Sequence, residues 1–579
     1  MKASPWSATS VIGVSVQPGT MVLTRIWCRA HDGRKARRRD GRPPAASSLT
    51  SQRITSALPP GRSGPFTTVS FFGHWRVTPA ALRRSMDCAR RSYQLRHMEA
   101  GVLHGVIREH LDEFLRAAAD RADGAGLPEF ITREFREFLT CGVLAYGFAR
   151  VRCERCAFEH LLPFSCKGRG FCPSCGGRRM TERAAHLVDE VIPFVPVRQW
   201  VLTLPYRLRY LLAWDHRLSR AALAVHARAL RDSYRREAQR HGIPAGRTGT
   251  VTAVQRFGGG LNLNVHFHTL ALDGVFARSP SGLLAFHPAC GPTDAEVAQV
   301  LNTIRRRVGR LLRRRGLEPD PDDTGQTDPV AEASLALAGI AGASMQGRVA
   351  LGTRAGAPVR RLGDGVRRAR DGTRGPRHAH LEGFDLHANV WVGPNDRARL
   401  EQLCRYVLRP PLAEHRLRRL ADGRVRLELK RPWSDGTTHL LFEPVEFLEK
   451  LAAVTPRPEI NLVLYHGMLA PHARRRPEVV AYGRAERDQT TDPRAGAAGA
   501  SRPRYWSWAL LMRRAFDLDV LRCPRCAGRM QLIATIEDPA VIQRILAHLG
   551  LPGARENPQP PLPLTAAGAQ HPTLPGVTV

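Results

Sequence analysis

The chain has 579 residues and 43% hydrophobic content, enough for several domains with ordinary cores. No run of about 18 apolar residues occurs, which excludes a conventional membrane span, and the N-terminal stretch is too polar for a secretory signal. Lys and Arg number 87 against 52 Asp and Glu, and the resulting charge of +35 favours a polyanionic partner, nucleic acid above all. We therefore expect a cytoplasmic protein associated with the nucleoid.

Composition and periodicity divide the chain into eight predicted segments. Residues 1–97 are rich in Arg, Ser and Pro without a sustained period, which predicts a basic, disordered segment and makes Met98 a candidate start. The others are, in chain order, a helical and zinc-binding domain (98–190), the first half of a central domain with a His-x-His hairpin (191–280), a flexible insertion with one helix near 294–314 (281–380), the second half of the central domain (381–483), a linker (484–505), a helix with a Cys-x-x-Cys motif (506–550) and a disordered tail (551–579).

The first cysteine cluster has the spacing of a metal site. Cys153 and Cys156 form one Cys-x-x-Cys pair, and Cys172 and Cys175 form another after a spacer of fifteen residues. Two such pairs at this spacing predict a tetrahedral zinc site. Zinc binding, at about 10 to 16 kcal/mol, can hold a segment too small for its own core. Four reduced thiols without metal are the alternative interpretation.

Four further cysteines leave alternatives open. Cys166 and Cys141 lie close to the cluster, and either could replace one of its four predicted ligands. Cys523 and Cys526 form a lone Cys-x-x-Cys, which supplies only half of a site. Another loop must complete this half site, or the motif is a remnant.

Residues 261–276 predict a strand with one polar side. Apolar residues alternate there with Asn and His, so His266 and His268 share the polar side while Phe267 points into the core. Two imidazoles at i and i+2 can bind one Mg²⁺ or Mn²⁺ and leave coordination positions open for phosphate oxygens. A pair of solvated histidines is the alternative, and the similar His-Ala-His at 378–380 has no predicted scaffold.

A second alternating strand is predicted at residues 384–392. Its odd-numbered residues from Asp385 through His387 to Trp391 are expected on one side, and its apolar even-numbered residues on the other. The predicted polar side therefore carries two further groups able to bind a metal.

The helix predicted at 394–411 presents a tyrosine outside its apolar stripe. The helix should begin at Asn395 or Asp396 and end at the Pro pair. At about 100° per residue, Tyr406 falls roughly 120° from the centre of the stripe. It is either a plain surface residue or a nucleophile, because neighbouring guanidinium groups favour phenolate and bind phosphates.

Five cations near these motifs are the predicted DNA contacts. Two belong to the cysteine segment, one precedes the histidine strand, and two flank the tyrosine: Lys167, Arg169, Arg256, Arg405 and Arg409.

Five stretches together resemble the transposases of the insertion sequence 91 family, which are HUH (His, hydrophobe, His) endonucleases. The resemblance runs in order from about residue 102 to about 550. Its motifs are SCKGRGFCPSCG (165–176), RQWVLTLP (198–205), QRFGGGLNLNVHFH (255–268), LEGFDLHANVWV (381–392) and LCRYVLRPP (403–411).

The resemblance implies an α/β (α+β) fold, with a zinc-binding domain before a catalytic domain whose antiparallel sheet is flanked by helices. It implies that His266 and His268 bind the catalytic Mg²⁺ or Mn²⁺. It does not assign a third ligand, and we predict His387 or Asp385 for this role because both are expected on the polar side of the strand before the tyrosine helix. Tyr406 would attack single-stranded DNA at the element ends, leaving a 5′-phosphotyrosine and a free 3′-OH for rolling-circle transposition. The oligomeric state stays open.

One departure concerns the number of tyrosines. Many members of the family carry two tyrosines one helical turn apart, whereas Gln402 and Pro410 stand four residues before and after Tyr406. The chain therefore resembles a single-tyrosine variant.

Two rival functions remain at this point. A zinc-dependent DNA-binding regulator without catalysis would explain the charge and the cysteines, but not the histidine pair or Tyr406. A topoisomerase-like enzyme would also combine a tyrosine with zinc, although no acidic metal cluster is evident in the sequence.

Overall fold

The computed structural model of the protein describes residues 11–17, 20–26, 98–317, 328–363, 375–484, 508–516 and 519–551. The chain divides into two units, residues 1–89 and 90–579. In the first unit the described residues form one antiparallel hairpin of β1 (Val11–Gln17) and β2 (Thr20–Ile26). The rest of the predicted disordered segment, and nearly all of the predicted linker and tail, lie outside the described residues.

The second unit combines helices with antiparallel sheets, as predicted. None of the helices in its described ranges is long and apolar enough to cross a membrane. The α-helices are α1 (Val102–Asp120), α2 (Glu129–Thr140), α3 (Pro173–His186), α4 (Tyr206–Trp214), α5 (His216–Arg240), α6 (Asp294–Arg313), α7 (Pro329–Ala333), α8 (Leu335–Met345), α9 (Arg397–Val407), α10 (Pro444–Val454), α11 (Arg476–Ala481), α12 (Trp508–Phe516) and α13 (Pro539–His548).

The strands in the described part of this unit form four sheets. They are β3 (Phe148–Cys153), β4 (Glu159–Pro163), β5 (Val197–Thr203), β6 (Gly249–Phe257), β7 (Leu263–Leu272), β8 (Gly274–Arg278), β9 (Leu284–Pro288), β10 (Arg360–Gly363), β11 (His378–Leu381), β12 (Phe384–Val392), β13 (Leu417–Arg419), β14 (Val425–Glu428), β15 (Thr437–Phe442), β16 (Val463–Gly467) and β17 (Met530–Ile536). The sheet orders are β11-β12-β5-β7-β6-β16, β10-β15-β14-β13, β17-β3-β4 and β8-β9.

The six-stranded sheet is the centre of the fold, and all of its neighbouring strands are antiparallel. Helices cover both of its faces. Residues of α4, α5, α6, α8 and α10 pack into one core with Trp200, Leu202 and Phe267 of the sheet. Residues of α3, α9 and α11 pack into a second core with Val197 and Leu270 on the other face. This second face also carries the two predicted metal-binding histidines.

The histidine strand has the predicted alternation. Val265 and Phe267 are fully buried in the first core. His266 lies opposite Thr203 of β5 and Gln255 of β6. Cross-strand pairs point to one side of a sheet, so His266 lies on the same face as both neighbours. We call this side of the six-stranded sheet the histidine face.

The alternation predicted for β12 is interrupted by a β-bulge. His387 pairs with Val201, but Val390 pairs with Gln199, so β12 has one extra residue between them. Asp385 and His387 therefore lie on the histidine face as expected. Beyond the bulge the prediction is wrong, because one inserted residue exchanges the two sides of a strand. Trp391 consequently lies on the opposite face, while Val390 joins the histidine face.

The prediction of a flexible insertion at 281–380 is wrong for most of that segment. The expected helix is α6, which starts with a capping box formed by Thr293 and Glu296. Its apolar residues Val297, Ile304 and Val308 are buried in the first core. Helix α8 joins the same core, whereas residues 318–327 and 364–374 lie outside the described ranges. The high Gly and Arg content of this segment favoured a prediction of flexibility, although its apolar residues recur at a regular spacing.

Candidate functional site

The two predicted metal-binding histidines lie side by side on the histidine face. Their ring centroids are 4.9 Å apart. His268 is buried, at 4% exposure, and His266 is half-buried. Since the strand holds both residues on one side, the two imidazoles can approach a single ion without a backbone rearrangement.

Hydrogen bonds orient both imidazoles. His266 Nδ1 lies 2.9 Å from the backbone oxygen of Asn264, and this oxygen can only accept, so Nδ1 donates and Nε2 keeps a free lone pair. His268 Nδ1 lies 2.8 Å from Gln199 Nε2. An amide nitrogen only donates, so in this arrangement Nδ1 accepts and His268 Nε2 carries the proton. Rotation of the Gln199 amide by 180° places its oxygen against Nδ1 and makes His268 Nε2 available to a metal. That Nε2 atom is buried and has no hydrogen-bond partner among the described residues.

Both imidazoles are held in the neutral form. Burial lowers the pKa of His266 to about 4, and the nearby Arg409 lowers it further, against the opposing effect of the Asn264 carbonyl. Burial, together with His266 and Arg409, also holds the pKa of His268 well below its usual value. A neutral imidazole is the form that binds metals, so the site is ready for a cation at neutral pH.

The predicted nucleophile lies beside this pair. Helix α9 begins after Asp396, whose side chain accepts a hydrogen bond from Arg399 N. Leu400 and Cys404 are buried in the second core, which leaves Tyr406 47% exposed. The Tyr406 ring centroid lies 5.9 Å from that of His268, with the rings perpendicular. Residues far apart in sequence thus meet at one end of the histidine face.

The two arginines that flank Tyr406 have different surroundings. The guanidinium carbon of Arg409 lies 4.4 Å from the centroid of the Tyr406 ring, and its Nη1 donates to the Tyr406 backbone oxygen at 3.0 Å. Arg405 instead forms an ion pair with Glu401, which also pairs with Arg514 of α12. Arg409 is therefore the cation that faces the candidate site, and the charge of Arg405 is already matched.

Gln255 is a site residue that the sequence analysis missed. It is 3% exposed and lies directly opposite His266 on the neighbouring strand. Its Nε2 donates to Val407 O at 2.8 Å and to Tyr406 O at 3.4 Å, which connects the histidine strands to the tyrosine helix. Its Oε1 is buried without a hydrogen-bond partner in the described part of the chain. The sequence contained one signal for this residue: the predicted hairpin pairs β6 with β7 and so places Gln255 next to the histidine strand.

The predicted third ligand, His387, lies on the correct face but two strands from His268. Val201 of β5 separates the two residues, a Cα distance of about 10 Å across two strand spacings. Asp385 is engaged elsewhere, since His378 Nε2 lies 2.7 Å from its Oδ2. Among the described residues, only cysteine groups bring three or more ligand atoms within 4.8 Å of one another. His387 is therefore not gathered with the His266 and His268 pair.

The His-Ala-His at 378–380 also has a scaffold that the sequence did not reveal. It forms β11, where His378 pairs with His387 and His380 pairs with Asp385. Its two histidines therefore extend the histidine face to the edge of the sheet.

The four cysteines predicted to bind one zinc are divided between two groups. Cys172 and Cys175 join Cys141 and Cys166, and Cys153 and Cys156 join Cys523 and Cys526. The predicted grouping is wrong, because β3 carries the first pair away from α3, which begins at the second pair. The cysteines that the sequence left as alternatives are the partners in the structure. Cys141 and Cys166 complete one group, and the C-terminal pair Cys523 and Cys526 completes the other.

The group of Cys141, Cys166, Cys172 and Cys175 has the dimensions of a zinc site. Three of its six sulfur pairs lie 3.5 to 3.8 Å apart, and all four sulfurs lie within 4.8 Å of one another. A tetrahedron of sulfurs 2.3 Å from a zinc ion has edges of about 3.8 Å. The Cys172 sulfur also caps helix α3 by accepting from Cys175 N. The donor set and its burial fit a structural zinc ion.

This cysteine group lies close to the tyrosine helix. Helix α3 packs against the chain just beyond α9, where a Cβ atom at Gly176 would come within 2.7 Å of Pro410 Cβ. Only glycine permits this approach without a shift of one element. The metal-binding segment thus supports the position of α9.

Two of the five predicted DNA-contacting cations have structural roles instead. Arg256 is 8% exposed and donates to the backbone oxygens of Ala213, Val454 and Thr455, at or beside the ends of α4 and α10. The prediction for Arg256 is therefore wrong, because β6 is buried on both faces. Arg169 donates to two backbone oxygens at 458 and 460, which fastens the cysteine segment to the connection between α10 and β16. Lys167 is exposed, and its DNA contact stays a prediction.

Two family models match the chain. Residues 249–477 match the model of a putative transposase, Y2_Tnp, and residues 106–204 match the transposase zinc-binding domain, Zn_Tnp_IS91. The first match contains the histidine pair and Tyr406, and the second contains the first cysteine group. Neither the curated proteins nor the solved structures gave a significant match.

Proposed function

Because the chain belongs to the insertion sequence 91 family of DNA transposases and carries their zinc-binding domain, we propose that it nicks single-stranded DNA at the ends of its element. Tyr406 is the nucleophile in this proposal, and a 5′-phosphotyrosine is the intermediate of rolling-circle transposition. The observation that carries the proposal is the 5.9 Å separation of the Tyr406 and His268 ring centroids on one face of the sheet.

A divalent cation, Mg²⁺ or Mn²⁺, would be held by His266, His268 and Gln255. The fit rests on two buried atoms that lack partners in the described structure, His268 Nε2 and Gln255 Oε1, and on the neutral state of both imidazoles. Imidazole nitrogen and amide oxygen suit such ions when phosphate completes the coordination. A cation there supplies Lewis-acid polarisation of the scissile phosphate.

The residues of the chain have distinct tasks in the cleavage. The Tyr406 hydroxyl oxygen attacks phosphorus, a bond forms between them, and the bond from phosphorus to the 3′ oxygen breaks. The phenolic proton ends on the departing 3′ oxygen, so that the products are a 5′-phosphotyrosine and a 3′-OH. The energy of the phosphodiester is conserved for rejoining to another 3′-OH.

Arg409 lies beside this chemistry. Its guanidinium lies over the Tyr406 ring, where it favours a developing phenolate and can bind a non-bridging phosphate oxygen. Arg405 contributes less, since Glu401 already matches its charge. Structural zinc at Cys141, Cys166, Cys172 and Cys175 holds α3 against the end of the tyrosine helix.

The test is an adduct assay with single-stranded oligonucleotides that span both element ends and carry a 3′ label. Wild-type protein with Mg²⁺ should give a labelled, denaturant-resistant adduct, because the label stays on the 5′-phosphate fragment. Tyr406→Phe should abolish the adduct. Tyr146→Phe is the matched control, since Tyr146 is 45% exposed and lies outside the histidine face.

Two outcomes would contradict the proposal. An adduct of normal yield from Tyr406→Phe would remove Tyr406 from the mechanism. Metal-independent DNA binding by the wild type, with no adduct from any end sequence, would favour the zinc-dependent regulator.

A further inference from the structure

The geometry points to a second structural zinc site, formed by Cys153, Cys156, Cys523 and Cys526, and we propose that it fastens the C-terminal segment 519–551 to the zinc-binding domain. Cys523 and Cys526 lie outside both family matches. The inference is independent of the proposed nicking activity.

The four sulfurs are arranged for one tetrahedral ion. Cys153 Sγ lies 3.4 Å from Cys526 Sγ, and Cys156 Sγ lies 3.6 Å from Cys523 Sγ. All four sulfurs lie within 4.8 Å of one another. These separations are close to the edge of about 3.8 Å expected for zinc thiolates. Four cysteine sulfurs around one point favour Zn²⁺ over Mg²⁺ or Ca²⁺, which prefer oxygen.

The two loops that bring these cysteines together have the same local structure. Their sequences are Cys-Glu-Arg-Cys-Ala (153–157) and Cys-Pro-Arg-Cys-Ala (523–527). Ala157 and Ala527 both have positive φ angles, +56° and +58°, a conformation uncommon outside glycine. Each of these alanines donates its backbone N–H to the carbonyl of the first cysteine in its loop, at 3.1 and 2.9 Å. Two equivalent turns thus present their thiols to a common centre from opposite sides.

The surrounding backbone joins the two loops into one module. Strand β17 pairs with β3 in an antiparallel register in which Met530 lies opposite Cys153. Glu154 N donates to Arg529 O at 3.2 Å. The C-terminal segment therefore completes the three-stranded sheet of the zinc-binding domain.

The apolar contacts of this module are few. Helix α13 buries Ile542 and Leu546 against Phe148 and Leu161, with only a few partly buried neighbours. A core of this size gives little stability by itself. In small zinc-dependent domains metal binding supplies much of the free energy of folding, so zinc at these four cysteines would stabilise the module.

The site is separate from the first cysteine group. Each group contains its own four sulfurs and shares none with the other. The second group is also the more accessible, since Cys156 is exposed, whereas Cys141, Cys172 and Cys175 of the first group are buried. The protein should therefore bind two structural zinc ions, and the second should exchange faster with a chelator.

Zinc content of the full-length protein tests this inference. After dialysis against zinc-free buffer, elemental analysis should give two zinc ions per chain for the wild type and one for Cys523→Ser/Cys526→Ser. Limited proteolysis should cut the segment 519–551 faster in the double variant. Cys290→Ser, at an exposed cysteine outside both groups, should match the wild type in both measurements.

A second measurement covers the case in which the double variant fails to fold. Wild-type protein reconstituted with Co²⁺ should show the thiolate-to-cobalt absorption of two four-thiolate sites per chain. The absorption of a single such site, or an unchanged zinc content in the double variant, overturns the inference. A wild-type mass four hydrogens below that of the reduced chain also overturns it, because two disulfides would then occupy the cysteines.

Discussion

Replacing Gln255 separates the two roles that its side-chain amide combines. In Gln255→Leu, Val407 O loses the donor that lies 2.8 Å away. Val407 is 2% exposed, so water cannot take the place of that donor, and an unsatisfied buried carbonyl costs about 1 to 3 kcal/mol. Tyr406 O keeps its bond from Arg409 Nη1 at 3.0 Å and adds little. We expect the free energy of unfolding to fall by about 1 to 3 kcal/mol.

The same variant loses the proposed oxygen ligand. Affinity for Mn²⁺ should fall at least about tenfold, the range seen when groups that support a metal site are removed. Gln255→Glu is the matched comparison, because it restores an oxygen and adds a negative charge. Gln255→Glu should bind Mn²⁺ more tightly than the wild type. Without metal it should be no more stable than Gln255→Leu, because its carboxylate faces the Val407 carbonyl and cannot donate a hydrogen bond to it.

Both effects are measured on zinc-loaded protein without a chelator. Urea unfolding in Mn²⁺-free buffer reports the first, and titration of free Mn²⁺ by electron paramagnetic resonance reports the second. An unchanged unfolding free energy in Gln255→Leu would show that the contact with α9 contributes nothing. An unchanged Mn²⁺ affinity would remove Gln255 from the ligand set.

Four further predictions concern Arg256, Arg409, His226 and the approach of α3 to the tyrosine helix. Arg256→Leu should lower the unfolding free energy by several kcal/mol, at about 1 to 3 kcal/mol for each carbonyl left unsatisfied, without changing the salt dependence of DNA binding. Arg409→Ala should instead reduce the slope of log Kd against log salt by about one with little loss of stability. His226 of α5 is fully buried beside Thr269 of β7, and burial lowers its pKa to about 3. Between pH 6.5 and 3 this residue therefore gains a proton in the unfolded chain but not in the folded one, so its contribution to the free energy of unfolding should fall by about 1.4 kcal/mol per unit as the pH decreases. Urea unfolding of His226→Gln at several pH values should show a pH dependence that is weaker by one proton. Gly176→Ala should slow adduct formation, since a displacement of about 1 Å can lower a reaction rate about 100-fold. Gly177→Ala is the control, because its added Cβ meets nothing within 4 Å in the described structure, and it should form adduct at the normal rate. The zinc content should be unchanged in both variants.

Local patterns in the sequence predicted the elements that carry the candidate site. The alternation around His266 requires only a pleated strand with one apolar side, and the position of Tyr406 requires only the helical period. Each of these two patterns can be read from a few consecutive residues. The roles of these residues stay predictions, whereas the placement of both on one face is a feature of the structure.

Long-range partners could not be predicted in the same way. The spacing of Cys153 and Cys156 indicates a metal site, but their partners depend on a strand pairing with a segment 373 residues away. Burial of Arg256 follows from helices on both faces of the sheet, which no local pattern records. The bulge in β12 adds one residue to a regular alternation, so every side-chain direction after His387 was inverted.

The pairing of β3 with β17 also determines when the zinc-binding domain can be finished during synthesis. Cys153 leaves the ribosome 373 residues before Cys526, which at about 5 to 20 residues per second is an interval of about 20 to 75 s. The strands of the six-stranded sheet are synthesised within that interval, while one edge of β3 has no neighbouring strand. A nascent chain that stops early therefore has the histidines and the tyrosine but an incomplete zinc-binding sheet, and quality-control proteases would meet an open strand edge.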